Sequence, residues 1–179
     1  MGKKIWCINA VDSRTRYSLG SRLVWSRTLE EFEFFRELKN RIGEQVHEVF
    51  LQEKHKPLKE RKLVTFVSDK LWQHRAAFNR HFYRIAKLVF GVPIACRQYG
   101  LKYNNNPIER HNEDIKQRYK TMRHFKSFAS AEAFLTPRRT VHNFVRTHQG
   151  LKRTPAEAAN IGLELGKNRL LNLIRLSVL

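Results

Sequence analysis

Acidic residues and cysteines are scarce in this chain of 179 residues, and no apolar run is long. Two cysteines, Cys7 and Cys96, cannot build a disulfide framework and are too few for a structural zinc site without histidine help. They read as small buried residues in strands. No stretch approaches the roughly 20 apolar residues of a membrane span. The C-terminal LLNLIRLSVL is too short and carries Arg175. Met1-Gly-Lys-Lys precedes only a short apolar run ending at Asp12, which is no secretory leader. A soluble cytoplasmic protein without a membrane partner is expected. No internal repeat or low-complexity tract is present, and at 41% hydrophobic residues the length supports one core.

The shortage of acids is the most informative of these. Sixteen Asp and Glu face 35 Lys and Arg, leaving a net charge of +19 and a pI near 10.5. A surplus of this size answers a polyanion, because neutralising phosphates releases counterions. Residues 1–100 hold twenty basic and ten acidic groups, and residues 101–179 hold fifteen and six, so the folded body itself is basic. Nucleic acid is the expected partner, although ribosomal proteins and anionic-membrane binders share this composition.

What is there alternates between strand and helix signals. KIWCINAV (4–11) is β-branched and aromatic, Asp12 to Thr15 supplies turn chemistry, and RYSLGSRLV (16–24) alternates, which predicts an antiparallel hairpin. Thr28-Leu29-Glu30-Glu31 reads as a capping box opening a helix, with Leu29, Phe32, Phe35 (or Phe34) and Leu38 on one face. KHKPLKERK (54–62) is a loop with five basic residues, either merely solvated or a phosphate contact. LVTFVS (63–68) predicts a strand buried on both faces, followed by a helix over about 72–90 and a short strand over 94–99. Asn104-Asn105-Asn106-Pro107 starts a helix that runs past Met122. Ser130 begins another, bent or broken near Pro137 and continuing to about His148. Thr154-Pro155-Ala156-Glu157 is a second capping box, and a last helical stretch follows. Strands with helices between and after them give a mixed α/β layer structure.

Two acids have a chemical reading beside a bland one. Asp69 stands where the 63–68 strand runs out, the end at which open α/β sheets hold ligands. It could equally be the N-cap of the helix that follows. Glu109 lies in the first turn of the Asn-Pro helix, where Glu113 and Lys116 share its face and Ile108, Ile115, Tyr119 and Met122 form the apolar stripe. A surface ion-pair ladder, Glu109–Glu113–Lys116, is the plain alternative. Beyond Asp114 come Lys116, Arg118, Lys120, Arg123 and Lys126 before the next acid, Glu132. A carboxylate followed by cations suits a substrate that needs both a metal ion and a grip on phosphate. Mg²⁺ takes one or two carboxylates with waters and phosphates, and paired ions stabilise in-line displacement at phosphorus.

The stretch from Asn104 to Ala159 resembles the end of the integrase-core, DDE-type transposases of prokaryotic insertion sequences. Their motif has Asn-Asn-x-Ile-Glu, a basic residue seven positions after the glutamate, a Phe-Lys-Ser-type turn, and a closing Asn-Phe-x-Arg-x-His before Thr-Pro-Ala-Glu-Ala. Matching positions here are Asn105, Ile108, Glu109, Lys116, Arg118, Phe125, Asn143, Phe144, Arg146, His148, Leu151 and Thr154 to Ala158. His111 falls one place off the family's histidine and receives no role. The resemblance implies a ribonuclease-H-like mixed sheet flanked by helices, with a helical C-terminal region. It implies two Mg²⁺ (or Mn²⁺) ions for DNA cleavage and strand transfer, with Asp69 as the second acid and Glu109 as the third. Lys116 matches a DNA-contacting position, and Arg118, Lys120, Arg123 and Lys126 extend that basic face. Residues 1–150 would be the catalytic core and 151–179 its helical extension. The protein would work as a homo-oligomer on DNA, cytoplasmic and associated with the nucleoid.

The front of the chain departs from the family. Gly2-Lys3 and Ala10-Val11-Asp12 match the turn and second-strand end, which places the first catalytic Asp and its central strand ahead of Met1. Asp12 is then a hairpin-turn residue, the other reading being that it is the first acid. The expectation is a truncated catalytic domain, marginally stable and without strand-transfer activity alone. Without the central strand, the hairpin must pair with the 63–68 strand or leave a gap. The alternative is a non-catalytic DNA-binding relic or regulator of a full-length relative, and a basic ribosome-associated protein is a third reading. Trp6, Trp25 and Trp72 read as core or surface-covering aromatics, and His142 and His148 as packing or hydrogen-bonding groups.

Overall fold

A computed structural model describes residues 5–26, 29–69, 71–91, 105–122 and 125–178, without the side chains of 29–31. Among the described residues the protein is mixed α/β, with two separate two-stranded sheets and six α-helices. It forms two compact units, Met1–Ile8 with Val24–Glu109, and Asn9–Leu23 with Arg110–Leu179.

The first unit is organised around α1, Leu29–Glu53, which packs on α2, Trp72–Phe82. Phe35, Leu38 and Val46 recur at helical spacing on α1 and are buried, and Phe34 beside them is buried too. They meet an aromatic cluster in which Phe66 lies 4.8 Å from Phe82 and 5.4 Å from Phe78 between ring centroids. β3, Thr65–Ser68, and β4, Lys87–Phe90, pair in parallel with Thr65 opposite Lys87 and Ser68 opposite Phe90. α2 is therefore the crossover of a β-α-β unit, the connection that parallel strands require.

The expected helix over 72–90 is too long. α2 ends at Phe82, Tyr83 turns extended and Arg84 takes a left-handed φ of 65°, after which Lys87-Leu-Val-Phe forms β4. An apolar run of four suits a strand as well as a helix end, and here a strand partner was available. β3 is also shorter than LVTFVS and half-buried throughout, with β4 as its one strand neighbour among the described residues. The proposed strand over 94–99, Cys96 and the Thr28 capping box lie outside the described residues.

In the second unit, the turn between β1, Trp6–Val11, and β2, Ser18–Val24, meets the residues that follow α4, Phe128–Thr140, through Arg16–His142 and Tyr17–Phe144. Asn9 bonds to Asn112 of α3, Asn106–Thr121. The hairpin forms as predicted, and it does not pair with β3. Cys7 on β1 is exposed rather than buried, since alternate side chains of a two-stranded ribbon point outward. Pro137 sits inside α4, and the helix relaxes into a π-helical turn, Val141–Val145. The expected bend or break near Pro137 is thus displaced to this wider turn, which ends the helix at Val145 rather than at about His148. Thr154 caps α5, Pro155–Ala158, in a complete capping box: Glu157 N donates to Thr154 Oγ1 and Thr154 N donates to Glu157 Oε2. Residues 151–179, with α6 at Arg169–Leu176, fall within this second unit.

Candidate functional site

Asp69 follows β3 directly and its side chain is 59% exposed. It is not the cap of α2. The N-cap position is Leu71, which makes no side-chain cap bond, so the plain reading of Asp69 falls away. Its Oδ1 instead lies 2.9 Å from Nδ1 of His74, one turn into α2 and beside Phe35.

Glu109 is exposed in the first turn of α3. No ion pair joins Glu109, Glu113 and Lys116 among the described residues, so the ladder is not formed.

A short relay of contacts connects the two acids through the backbone. Gly91 N donates to Ser68 O at 2.8 Å, extending the parallel pairing to the carboxyl ends of both strands, next to Asp69. Against Gly91 lies the side chain of Asn105, so close that an added Cβ would meet Asn105 Oδ1 at 2.2 Å. Asn105 O in turn accepts from Glu109 N at 2.9 Å and opens α3. The strand ends and the start of α3 are thus packed backbone to side chain, with Asp69 at one end of the relay and Glu109 at the other. Asn105 does not serve as the expected side-chain cap: its Oδ1 is buried and accepts no hydrogen bond. A buried carbonyl oxygen without a donor is costly, and it is a donor-free hard oxygen of the kind Mg²⁺ selects. No group of three His, Cys, Asp or Glu gathers among the described residues.

Along α3 and just after it, Lys116, Arg118, Lys120 and Lys126 are exposed, while Arg123 lies outside the described residues. Asp12 is occupied by the hairpin turn. Its Oδ1 accepts from Arg14 N, Thr15 N and Thr15 Oγ1 at 2.9, 2.6 and 2.8 Å, the local bonding that favours Asp in turns.

The second unit holds a polar cluster that sequence reasoning did not assemble. His111 is buried on α3, and its ring meets His142 edge-on at 4.8 Å. Burial pushes the His111 imidazole down to about 4, helped by the neighbouring His142. His142 Nε2 donates to Arg16 O at 2.9 Å, and burial lowers its basicity as well. Asp114 accepts from Arg146 at both oxygens, at 2.8 Å each, and from Arg138. Partial burial works against the charged Asp114, and the two guanidiniums overcome it, holding the carboxyl below its usual range. Asn143, 3% exposed, receives Ser18 N on Oδ1 at 2.8 Å and donates Nδ2 to Ser18 O at 3.1 Å. Its amide imitates a neighbouring strand for one residue. Phe144 meets Tyr17 edge-on at 6.2 Å. Arg146 therefore serves Asp114, while the backbone N–H of His148 donates to Arg153 O beside the Thr154 cap. Histidine spacing held the missed signal: Ile108, His111, Ile115 and Tyr119 are offset by three, four and four, which puts His111 in the apolar stripe.

No family model matches the chain, and neither a curated protein nor a solved structure shows significant similarity to it.

Proposed function

We propose that this chain belongs to the catalytic domain of an integrase-core, DDE-type transposase, of ribonuclease-H-like fold, in which Asp69 and Glu109 are metal-holding acids for DNA cleavage and strand transfer. The observation that carries the reading is the Gly91–Asn105 contact, which ties the carboxyl ends of a parallel strand pair to the first turn of the glutamate's helix. Ligand sites of open α/β sheets lie at such strand ends. Two Mg²⁺ or Mn²⁺ ions, when bound, supply stabilisation of the attacking and leaving oxygens in displacement at phosphorus. Asp69 and Glu109 provide hard oxygen donors from two different elements. Lys116, Arg118 and Lys120 follow Glu109 on α3 and Lys126 lies just beyond it, all exposed, suited to phosphate oxygens of a DNA strand. A homo-oligomer assembled on DNA is part of the same reading.

The test is Mn²⁺ titration followed by paramagnetic broadening of amide signals. Ser68, Asp69, Gly91 and the residues from Asn105 to Glu109 are expected to broaden together, and either Asp69→Ala or Glu109→Ala to remove most of the effect. Broadening confined to one acid, insensitive to the other, would overturn the shared site. A second reading, a DNA-binding regulator without catalysis, is favoured by the hold of the hairpin turn on Asp12, the candidate first acid, whose Oδ1 already accepts three bonds. Salt-dependent DNA binding indifferent to both alanine changes, with no metal-dependent nicking of supercoiled DNA, would select it.

A further inference from the structure

The basic loop 54–62 is a built feature rather than a loose solvated one. Glu53, the last residue of α1, anchors both ends. Its Oε1 accepts from Lys56 Nζ at 2.6 Å and its Oε2 from Lys62 N at 2.9 Å. Arg61 reaches back across the loop, donating Nε to Lys56 O at 2.8 Å and a terminal nitrogen to Lys54 O at 2.7 Å. Between these staples, Glu60 N donates to Pro57 O at 2.9 Å and closes a turn whose central residues are Leu58 and Lys59. Lys56 and Arg61 are consumed in holding the shape. Lys54, Lys59 and Lys62 are exposed and form no ion pair among the described residues. Leu58 projects from the tip at 80% exposure.

A single exposed leucine is ordinary. This one stands at the apex of a stapled turn whose loop also carries the exposed Lys54, Lys59 and Lys62. We propose that loop 54–62 is a preformed finger for duplex DNA, in which Lys54, Lys59 and Lys62 grip backbone phosphates and Leu58 presses into the minor groove between them. Neutralising phosphates releases counterions, and apolar wedges inserted there are repaid by a bent duplex that contacts more protein. Holding the loop in its binding shape removes ordering cost at the moment of contact. An anionic membrane is the poorer fit, since one leucine buries too little area for interfacial anchoring. The finger shares DNA with the function proposed above but rests on its own geometry, distinct from Asp69 and Glu109.

The experiment measures affinity for a labelled 30-base-pair duplex as salt is varied, in EDTA, so that no outcome depends on bound metal. The triple change Lys54→Ala, Lys59→Ala and Lys62→Ala is expected to flatten the slope of log affinity against log salt by about 0.9 for each phosphate that is no longer neutralised. Lys59→Ala alone, at the tip, is expected to remove about 0.9. Leu58→Ser should weaken binding several-fold with the slope unchanged and reduce bending of an end-labelled duplex. A slope unaltered in the triple variant overturns the proposal. So does a Leu58 effect seen on phosphatidylserine vesicles and absent on duplex DNA.

Discussion

Gly91 and Asn143 show how a single residue can be required by what another element places against it. At position 91 a Cβ would meet Asn105 Oδ1 at 2.2 Å, a distance no side chain tolerates. Gly91→Ala is expected to cost about 1–3 kcal/mol through overpacking and to disturb the response of Asp69 and Glu109 to Mn²⁺. The obstacle is a side chain rather than backbone, so adding Asn105→Ala should recover much of that loss in urea denaturation. A double variant no more stable than Gly91→Ala would place the strain elsewhere. Asn143→Ala leaves Ser18 N and O without their partners in a buried setting, at about 2–4 kcal/mol for two orphaned groups. Asn143→Asp should restore only the bond from Ser18 N, since a carboxylate has nothing to donate to Ser18 O. Thermal melts of the two variants would rank the aspartate between wild type and alanine.

Individual helices are decided by their ends and by what they bury. The Thr154 box was readable because Thr, Pro and Glu all act within four residues, and it formed as written. Thr154→Ala should therefore cost about 1 kcal/mol, read as a lowered Tm with α3 unaffected. α3 poses a different problem. Its inner edge buries His111 against His142, and burial holds His111 near 4. In the unfolded chain a histidine titrates near 6.5, so between these values the unfolded state binds more protons. Stability contributed by neutral His111 is thus present above pH 6.5 and is lost as pH falls toward 4, on the order of 3 kcal/mol in all. Urea midpoints measured from pH 7 to pH 4 should fall, and less steeply in His111→Gln. A profile identical in that variant would remove His111 as the cause. Pro137 and the π-helical turn sit at the opposite extreme of legibility. Proline announced a bend, but the extra-wide turn exists to aim His142, Asn143 and Phe144 at residues 16–18.

Over the whole molecule, charge is the dominant property. With +19 spread over both halves of the chain, binding to DNA should follow a steep salt dependence. Fluorescence titration at 50 and 200 mM salt should show affinity falling by about 10³-fold or more if six or more phosphates are contacted. Affinity that barely changes would remove the polyanion as the reason for the composition.

The chain's own chemistry determined the hairpin turn at Asp12, the Thr154 cap, the face of α1, the start of α3 and the excess of cations, because each depends on residues a few positions apart. Only tertiary structure decided that Lys87–Phe90 would be a strand, since its apolar run needed β3 as a partner to choose between helix and sheet. It likewise decided that Asn105 would pack on Gly91 instead of capping its helix, and that Asp114 would gather Arg138 and Arg146 from 24 and 32 residues away. Such contacts depend on atoms that chain closure brings together, and local spacing carries no record of them.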